Sequence, residues 1–391
     1  MTYSSGRGRS RALTRIFGLG SAAILVVAAC STPAASTAPS QAASQAASQA
    51  APPSTAASVA TSEAPASAAG KVGVSLITKT NTNPFFIAMA KGAQDKAAEL
   101  GVQLTLAAGT ISGDEATQID AIENAVSQGQ KGILITPNGP GVNPAIKKAR
   151  DAGLFVIALD TPPDPPDTVD ITFATDNFLA GKLIGQWAAG QLAGKPAVIA
   201  MIDDQPDIIT SVDVGRDHGF LTGMGIQVGD QGPNGGEAPT GNYSGGTYTV
   251  VGHQTSKGAE DGGQKGMEIL LAKNGDINLV YTINEPTANG AYKALQAAGK
   301  TSGVTIVSVD GGCPGVKLVK DGVIGATAQQ YPLLMASLGV QAIYDLVTKG
   351  TKPQVSPGLT FFNTGVGLVT DKPETGLESI DTTKGTELCW G

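Results

Sequence analysis

The sequence predicts an α/β protein made of two similar lobes, each a parallel sheet with helical crossovers. Three observations point there. Short, near-continuous apolar runs recur along the chain, as expected of strands buried on both faces. Stretches with apolar residues at helical spacing separate them. After Asp176 the alternation restarts and runs through a second time.

The first seventy residues stand apart from this pattern. Arg7, Arg9, Arg11 and Arg15 precede an apolar run, Ile16 to Ala29, that closes with Val27-Ala28-Ala29-Cys30. A basic region, a short apolar region and small residues before the cut predict a secretory signal over residues 1–29. The apolar run is too short for the roughly 20 residues of a membrane span. Cys30 in this setting resembles the lipobox of bacterial lipoproteins, which implies that it is the acylated first residue. The stretch 31–70 is almost all Ala, Ser, Pro, Gln and Thr, with Glu63 its sole charge. Such a composition cannot bury enough apolar surface to offset ordering entropy, so 30–70 reads as a lipidated, disordered tether.

The globular elements follow in order. Val72 to Ile77 is a strand; Phe86, Ala90, Ala93, Ala97 and Leu100 mark a helix that Gly101 stops. Val102 to Ala108 is a strand, Ile119, Ile122 and Val126 a helix, and Gly132 to Thr136 a strand. A helix from Pro144 to Ala152 and a strand from Phe155 to Leu159 complete the first run. In the second run strands fall at Ala197 to Ile202, Tyr248 to Gly252, Asn278 to Ile283 and Val304 to Val309. Helices fall at Leu179 to Leu192, Val214 to Met224, Gly263 to Ala272, Thr287 to Ala298 and Leu333 to Val347. Gly229 to Gly246, rich in Gly, Pro and Asn, reads as an irregular loop. The halves echo each other: Asn138 and Asp160, 22 residues apart, follow strands in one, and Asn284 and Asp310, 26 apart, in the other.

Composition excludes several function classes. Without the four N-terminal arginines, 22 Lys+Arg face 33 acids, a charge of −11, which argues against nucleic-acid binding. Two histidines and three cysteines leave little for a His-rich metal site, and no metal or cofactor is expected. Gly223-Met224-Gly225 lacks the third glycine of a dinucleotide fingerprint, since Val228 stands there, and it follows a helix. Gly299-Lys300-Thr301 lacks the first glycine of a phosphate loop, since Ala294 stands there.

What remains is a polar cleft. Ligands of open α/β sheets sit beyond the carboxyl ends of strands, so two facing sheets place Asp160 and Asp310 on opposite walls. Asn83 suits the N-cap and Pro84 the first turn of the first helix, with Phe85 and Phe86 behind them. Adjacent aromatics cannot share one helical stripe; either both pack in the core or they form an apolar wall beside Asn83. Aromatic faces with carboxylates and amides suit a sugar, whose hydroxyls need paired donors and acceptors. Asp160, Asn284, Asp310 and Gln330 supply those groups.

Asn83-Pro84-Phe85-Phe86, Gly132 to Pro137, Val156 to Thr161 and Val307 to Gly311 resemble the ribose/galactose-type periplasmic sugar-binding proteins of bacterial ABC importers. Phe173 to Asn177, Asp213 to Leu221, Tyr281 to Pro286 and Gly311 to Gly315 look like the fructose-binding members. The resemblance spans Lys71 to Gly391. It implies the type I periplasmic binding protein fold, with three hinge crossings: a first lobe of 71–176 plus about 331–360, and a second of 177–330 plus about 361–391. It implies Asn83, Phe85, Phe86 and Asp160 on the first-lobe wall, and Asn284, Asp310 and Gln330 on the second lobe or hinge. Two departures oppose ribose bound in the usual way: Thr161 where the ribose pattern has Arg, and Val214 where it has a sugar-clamping Arg. No aromatic stands near Lys257, where the pattern has its second, and Lys79 at the cleft edge supplies a lost donor.

The implied protein is a monomeric extracytoplasmic lipoprotein that captures a monosaccharide, fructose or a related pentose or hexose. It passes the sugar to an ABC permease with its ATPase subunits, and touches the membrane through its lipid alone. The alternatives are a sensor presenting sugar to a signalling receptor, and a glycosidase using Asp160 and Asp310. Outside the cytoplasm, Cys313 and Cys389 are expected to form a disulfide.

Overall fold

A computed structural model describes residues 71–205, 209–230 and 232–391. The residues read as a signal peptide, a lipidated Cys30 and a tether lie outside the described residues.

The first lobe is β1 (Gly73–Thr78), α1 (Pro84–Leu100), β2 (Gln103–Ala108), α2 (Glu115–Ser127), β3 (Gly132–Ile135), α3 (Asn143–Asp151), β4 (Phe155–Leu159) and β5 (Ile171–Ala174). The second begins with α4 (Asn177–Leu192), β6 (Ala197–Asp203), α5 (Ser211–Met224), β7 (Thr240–Tyr243) and β8 (Gly246–Thr255). It continues through α6 (Glu260–Lys273), β9 (Leu279–Thr282), α7 (Glu285–Ala297), β10 (Thr305–Asp310), α8 (Cys313–Lys320) and β11 (Ala326–Gln329). The chain then returns to the first lobe as α9 (Pro332–Lys349) and β12 (Phe362–Asn363), and crosses back as β13 (Gly367–Val369) and α10 (Thr382–Leu388).

One sheet runs β12-β5-β4-β3-β1-β2 and is parallel throughout; the other runs β13-β11-β10-β9-β6-β8-β7 and is antiparallel only at its two edge strands. In the first sheet β1 lies between β2 and β3, and in the second β6 lies between β8 and β9, so each sheet has a switch point at its first strand. Alternate residues feed opposite faces. Leu76, Leu134 and Ile157 pack under α1 and α9, while Ile77, Ile133 and Val156 pack under α2 and α3. In the second lobe Met201, Tyr281 and Val307 face α4 and α5, and Ile202, Val280 and Ile306 face α6 and α7.

The edges depart from the sequence reading. The segment 229–246 is not wholly irregular: β7 lies in it and pairs with β8 from Thr240↔Thr249 to Tyr243↔Gly246. Three of its four residues are exposed, so it carries no apolar signature. The third crossing comes later than about residue 360, because Phe362 and Asn363 still pair with Phe173 and Ala174 of the first sheet. The strand β11, Ala-Thr-Ala-Gln, is fully buried yet too small and polar to announce itself by hydropathy.

The second lobe also shows how a helix can be fixed by residues that lack side chains. A Cβ on Gly181 of α4 would lie 2.1 Å from the carbonyl oxygen of Arg216 in α5, and one on Gly219 would lie 2.2 Å from that of Phe178. Glycine at both positions lets the two helices touch through their backbones, which sets the rotation and height of α5.

Candidate functional site

The carboxyl ends of both sheets open into one cavity of ≈ 960 Å³, within the range of small-molecule sites. All eight residues singled out by sequence line it: Lys79, Asn83, Phe85, Phe86, Asp160, Asn284, Asp310 and Gln330.

The first-lobe wall is built locally. Asn83 caps α1, its Oδ1 accepting from the Phe85 amide at 2.9 Å, and Pro84 follows at the position where no N–H is needed. Phe85 and Phe86 are both buried, their rings edge to face with centroids 5.3 Å apart. The two options read from sequence are therefore not exclusive, since both rings are packed and both line the cavity. A third aromatic joins them. Trp390 meets Phe85 edge to face at 5.4 Å and donates its indole N–H to the Gln330 carbonyl at 2.7 Å. The tail that carries it is held by a disulfide between Cys313 and Cys389, whose Cα atoms are 4.9 Å apart, and by the Cys313 amide donating to the Trp390 carbonyl.

The carboxylates come from strand ends in both lobes. Asp160 follows β4 and Asp310 closes β10, with φ of 63° and 138°, conformations that favour glycine. Such strain at a cavity wall is where a function is worth seeking. Asp160 Oδ2 accepts from the Thr161 hydroxyl, while its Oδ1 has no hydrogen-bond partner among the described residues. Asp310 Oδ1 accepts from Gln330 Nε2 at 2.8 Å, which leaves Gln330 Oε1 without a partner. Burial pushes the Asp310 carboxyl up to about 7, against the opposing pull of Arg216 and the Gln330 amide.

Sequence reasoning missed the group that unites them. Arg216, 4% exposed, lies between the two acids, with Nη2 at 3.7 Å from Asp160 and Nη1 at 3.7 Å from Asp310. Its Nε donates to Asn177 Oδ1 and its Nη1 to the Ile283 carbonyl. The ribose pattern has its arginine at the position of Val214; here the guanidinium comes from two residues further on. The available signal was Arg216 standing on one helical stripe between Val212 and Phe220, both buried.

The other polar residues close the site. Asn284 caps α7 through Oδ1, accepting from Thr287, and donates through Nδ2 to the Gly258 carbonyl at 3.0 Å. Asn83 Nδ2 reaches the same carbonyl from the opposite lobe at 3.4 Å. Lys79 is not at an exposed edge. It is buried, with Nζ 4.0 Å from Asp204 of the second lobe, which also accepts from the Ser112 hydroxyl of the first. Beneath the wall, Glu285 accepts from the Gly311 and Gly312 amides and the Thr327 hydroxyl, clamping the turn after Asp310. Burial, then the nearby Asp310, raise its pKa to about 8.

A cavity with an aromatic face, paired carboxylates and free acceptors can hold a small polyhydroxylated molecule on all sides. The chain matches the periplasmic binding protein domain over residues 73–352. It is 31% identical over 290 residues to the ribose import binding protein RbsB of Salmonella typhimurium, covering 74% of this chain and 89% of that one. Galactofuranose-binding protein YtfQ of Escherichia coli is 29% identical over 270 residues, 67% of this chain and 78% of that protein. The crystal structure of an ABC transporter solute binding protein from Agrobacterium vitis with bound D-fucose superposes with a TM-score of 0.65 at 27% identity. That match covers 79% of this chain and 100% of the other.

Proposed function

The chain belongs to the periplasmic binding protein family, as a type I sugar-binding member of the extracytoplasmic space, and from that we propose that it captures fructose or a closely related pentose or hexose for an ABC importer. Its homologues are non-enzymatic components of transport, so the glycosidase alternative falls.

The observation that carries the reading is Arg216 between Asp160 and Asp310, one acid from each lobe, in a cavity walled by Phe85, Phe86 and Trp390. A sugar ring lies against the aromatic face, and its hydroxyls donate to Asp160 Oδ1 and Gln330 Oε1, two acceptors without a hydrogen-bond partner among the described residues. Each hydroxyl buried without a partner costs about 1–3 kcal/mol, so the pattern of acceptors selects among sugars. Thr161 and Val214, in place of the arginines of the ribose pattern, favour a sugar other than ribose. The sequence Val27-Ala28-Ala29-Cys30 and the uncharged tether support a lipid anchor at Cys30, and the receptor acts as a monomer beside its permease.

Calorimetric titration with fructose, ribose, mannose, xylose and a sugar alcohol tests the reading. Fructose or a near relative binds tightly, and Asp160→Ala and Asp310→Ala each weaken it by about 10- to 100-fold or more while the protein stays folded. If both variants bind like the unmodified protein, or no sugar of the panel binds, the assignment is wrong.

A further inference from the structure

Behind the cleft, in the second lobe, a second polar cluster takes no part in the sugar site. Asp203 ends β6, Asp217 stands in α5 next to Arg216, and His253 lies in β8. One ligand atom from each falls within 4.8 Å of the others. His253 Nδ1 is 2.7 Å from Asp203 Oδ2 and 3.7 Å from Asp217 Oδ2. On the far side of the ring, Nε2 is 2.9 Å from Glu237 Oε1.

Two features distinguish the cluster from an ordinary buried ion pair. Asp217 is wholly buried, and among the described residues neither of its carboxylate oxygens has a hydrogen-bond partner; Asp203 Oδ1, equally buried, has none among them either. Charge is also out of balance, since two imidazoles, His253 and His218 with its Nε2 3.9 Å from Asp217 Oδ1, face three carboxylates, and buried charge without compensation is costly. A divalent cation at the point where Nδ1 and the two aspartates converge resolves both. Glu237 would then do what an outer carboxylate does for a metal-bound histidine. By accepting from Nε2–H, it fixes the tautomer in which a metal ion takes the place of the proton that Nδ1 shares with Asp203 Oδ2. We propose that Asp203, Asp217 and His253 bind a divalent metal ion of the borderline class, Zn²⁺ foremost and Mn²⁺ next, with Glu237 as the positioning residue. One imidazole with two carboxylates suits these ions better than it suits the all-oxygen preference of Ca²⁺. Composition alone gave no hint of it, because the ligands stand 14 and 36 residues apart on three different elements.

The test uses the full chain stripped with a chelator and titrated with ZnCl₂, MnCl₂ or CaCl₂, followed by calorimetry, elemental analysis and thermal melting, with no sugar present. Expected are one equivalent of Zn²⁺ per chain, a raised melting temperature and weak Ca²⁺ binding. Asp217→Asn and His253→Gln each weaken Zn²⁺ by more than about 100-fold, and Glu237→Gln by about 10- to 100-fold. Absence of saturable binding of Zn²⁺ and Mn²⁺, or binding by both ligand variants equal to the unmodified chain, overturns the proposal. Should a variant fail to fold, ¹⁵N imidazole spectra of the unmodified chain decide. Zn²⁺ must perturb Nδ1 of His253 while Nε2 stays protonated; a ring protonated on both nitrogens at saturating Zn²⁺ rejects the site.

Discussion

The two lobes contribute to one cavity by different means. The first lobe's wall is mostly contiguous in sequence: Asn83, Pro84, Phe85 and Phe86 on one helical turn, with Asp160 from a nearby strand end. Asn83 caps its own helix and the two rings are packed, and Asp160 alone turns to the other lobe, toward Arg216. The second lobe's wall is ionic and assembled from distant segments, with Arg216, Glu285 and Asp310 all buried and each held by atoms far along the chain. An apolar wall is held by the packing of its own rings. A buried charged wall stands only while every partner is present.

That contrast can be broken from the second lobe first. Arg216→Ala leaves Asp160 and Asp310 buried without their shared cation, and removing one partner of such an arrangement destabilises by roughly 3–5 kcal/mol. Urea unfolding reads this, and a loss under about 1 kcal/mol would show that the acids find other partners. In the first lobe, Phe85→Ala removes a packed ring between Phe86 and Trp390 and costs about 3 kcal/mol at the low end of the aromatic range. It also lowers sugar affinity without altering the pH dependence of stability.

The pH dependence belongs to the second lobe. Glu285 and Asp310 have folded pKa values raised by burial, to about 8 and about 7, so the fold binds more protons than the unfolded chain in between. Their contribution to stability is complete below the ordinary carboxylate range and declines as pH rises through the raised values. The ligand-free protein should melt at a higher temperature at pH 5 than at pH 8, and Glu285→Gln should narrow the gap. An unchanged gap in that variant would remove Glu285 from the account. The smallest effect is Asn83→Ala, which deletes a helix cap for about 1 kcal/mol and loosens the contact to Gly258 across the cleft.

Much of this was legible beforehand. The parallel strands β1 to β4, β6 and β8 to β10, their order along the chain and the acids and amides after them follow from apolar runs punctuated by polar residues, whereas β5 was not read. Each is a local pattern that burial on both faces imposes. Strands β7, β11, β12 and β13 carry no such pattern, because edge position or small size removes the need for bulky apolar residues. Arg216 escaped because a charged residue on a helix is normally solvated, and its place on the apolar stripe of Val212 and Phe220 was the one local mark that this one is turned inward. Trp390 escaped because it lies next to the end of the chain, and its place beside Phe85 depends on the tail being pinned at Cys389.

By itself, then, the sequence determined the two parallel sheets, the strand ends that carry Asp160, Asn284 and Asp310, and the aromatic turn at Phe85. These depend on interactions within a few residues. The tertiary structure decided which cation answers the acids. Positions 214 and 216 differ by about 200° around a helix, and the rotation that turns Arg216 toward the cleft is set by glycine-mediated contact with α4. It also brought Asp203, Asp217 and His253 together, since convergence of charge across separate elements is a property of packing and leaves no periodic trace in the chain.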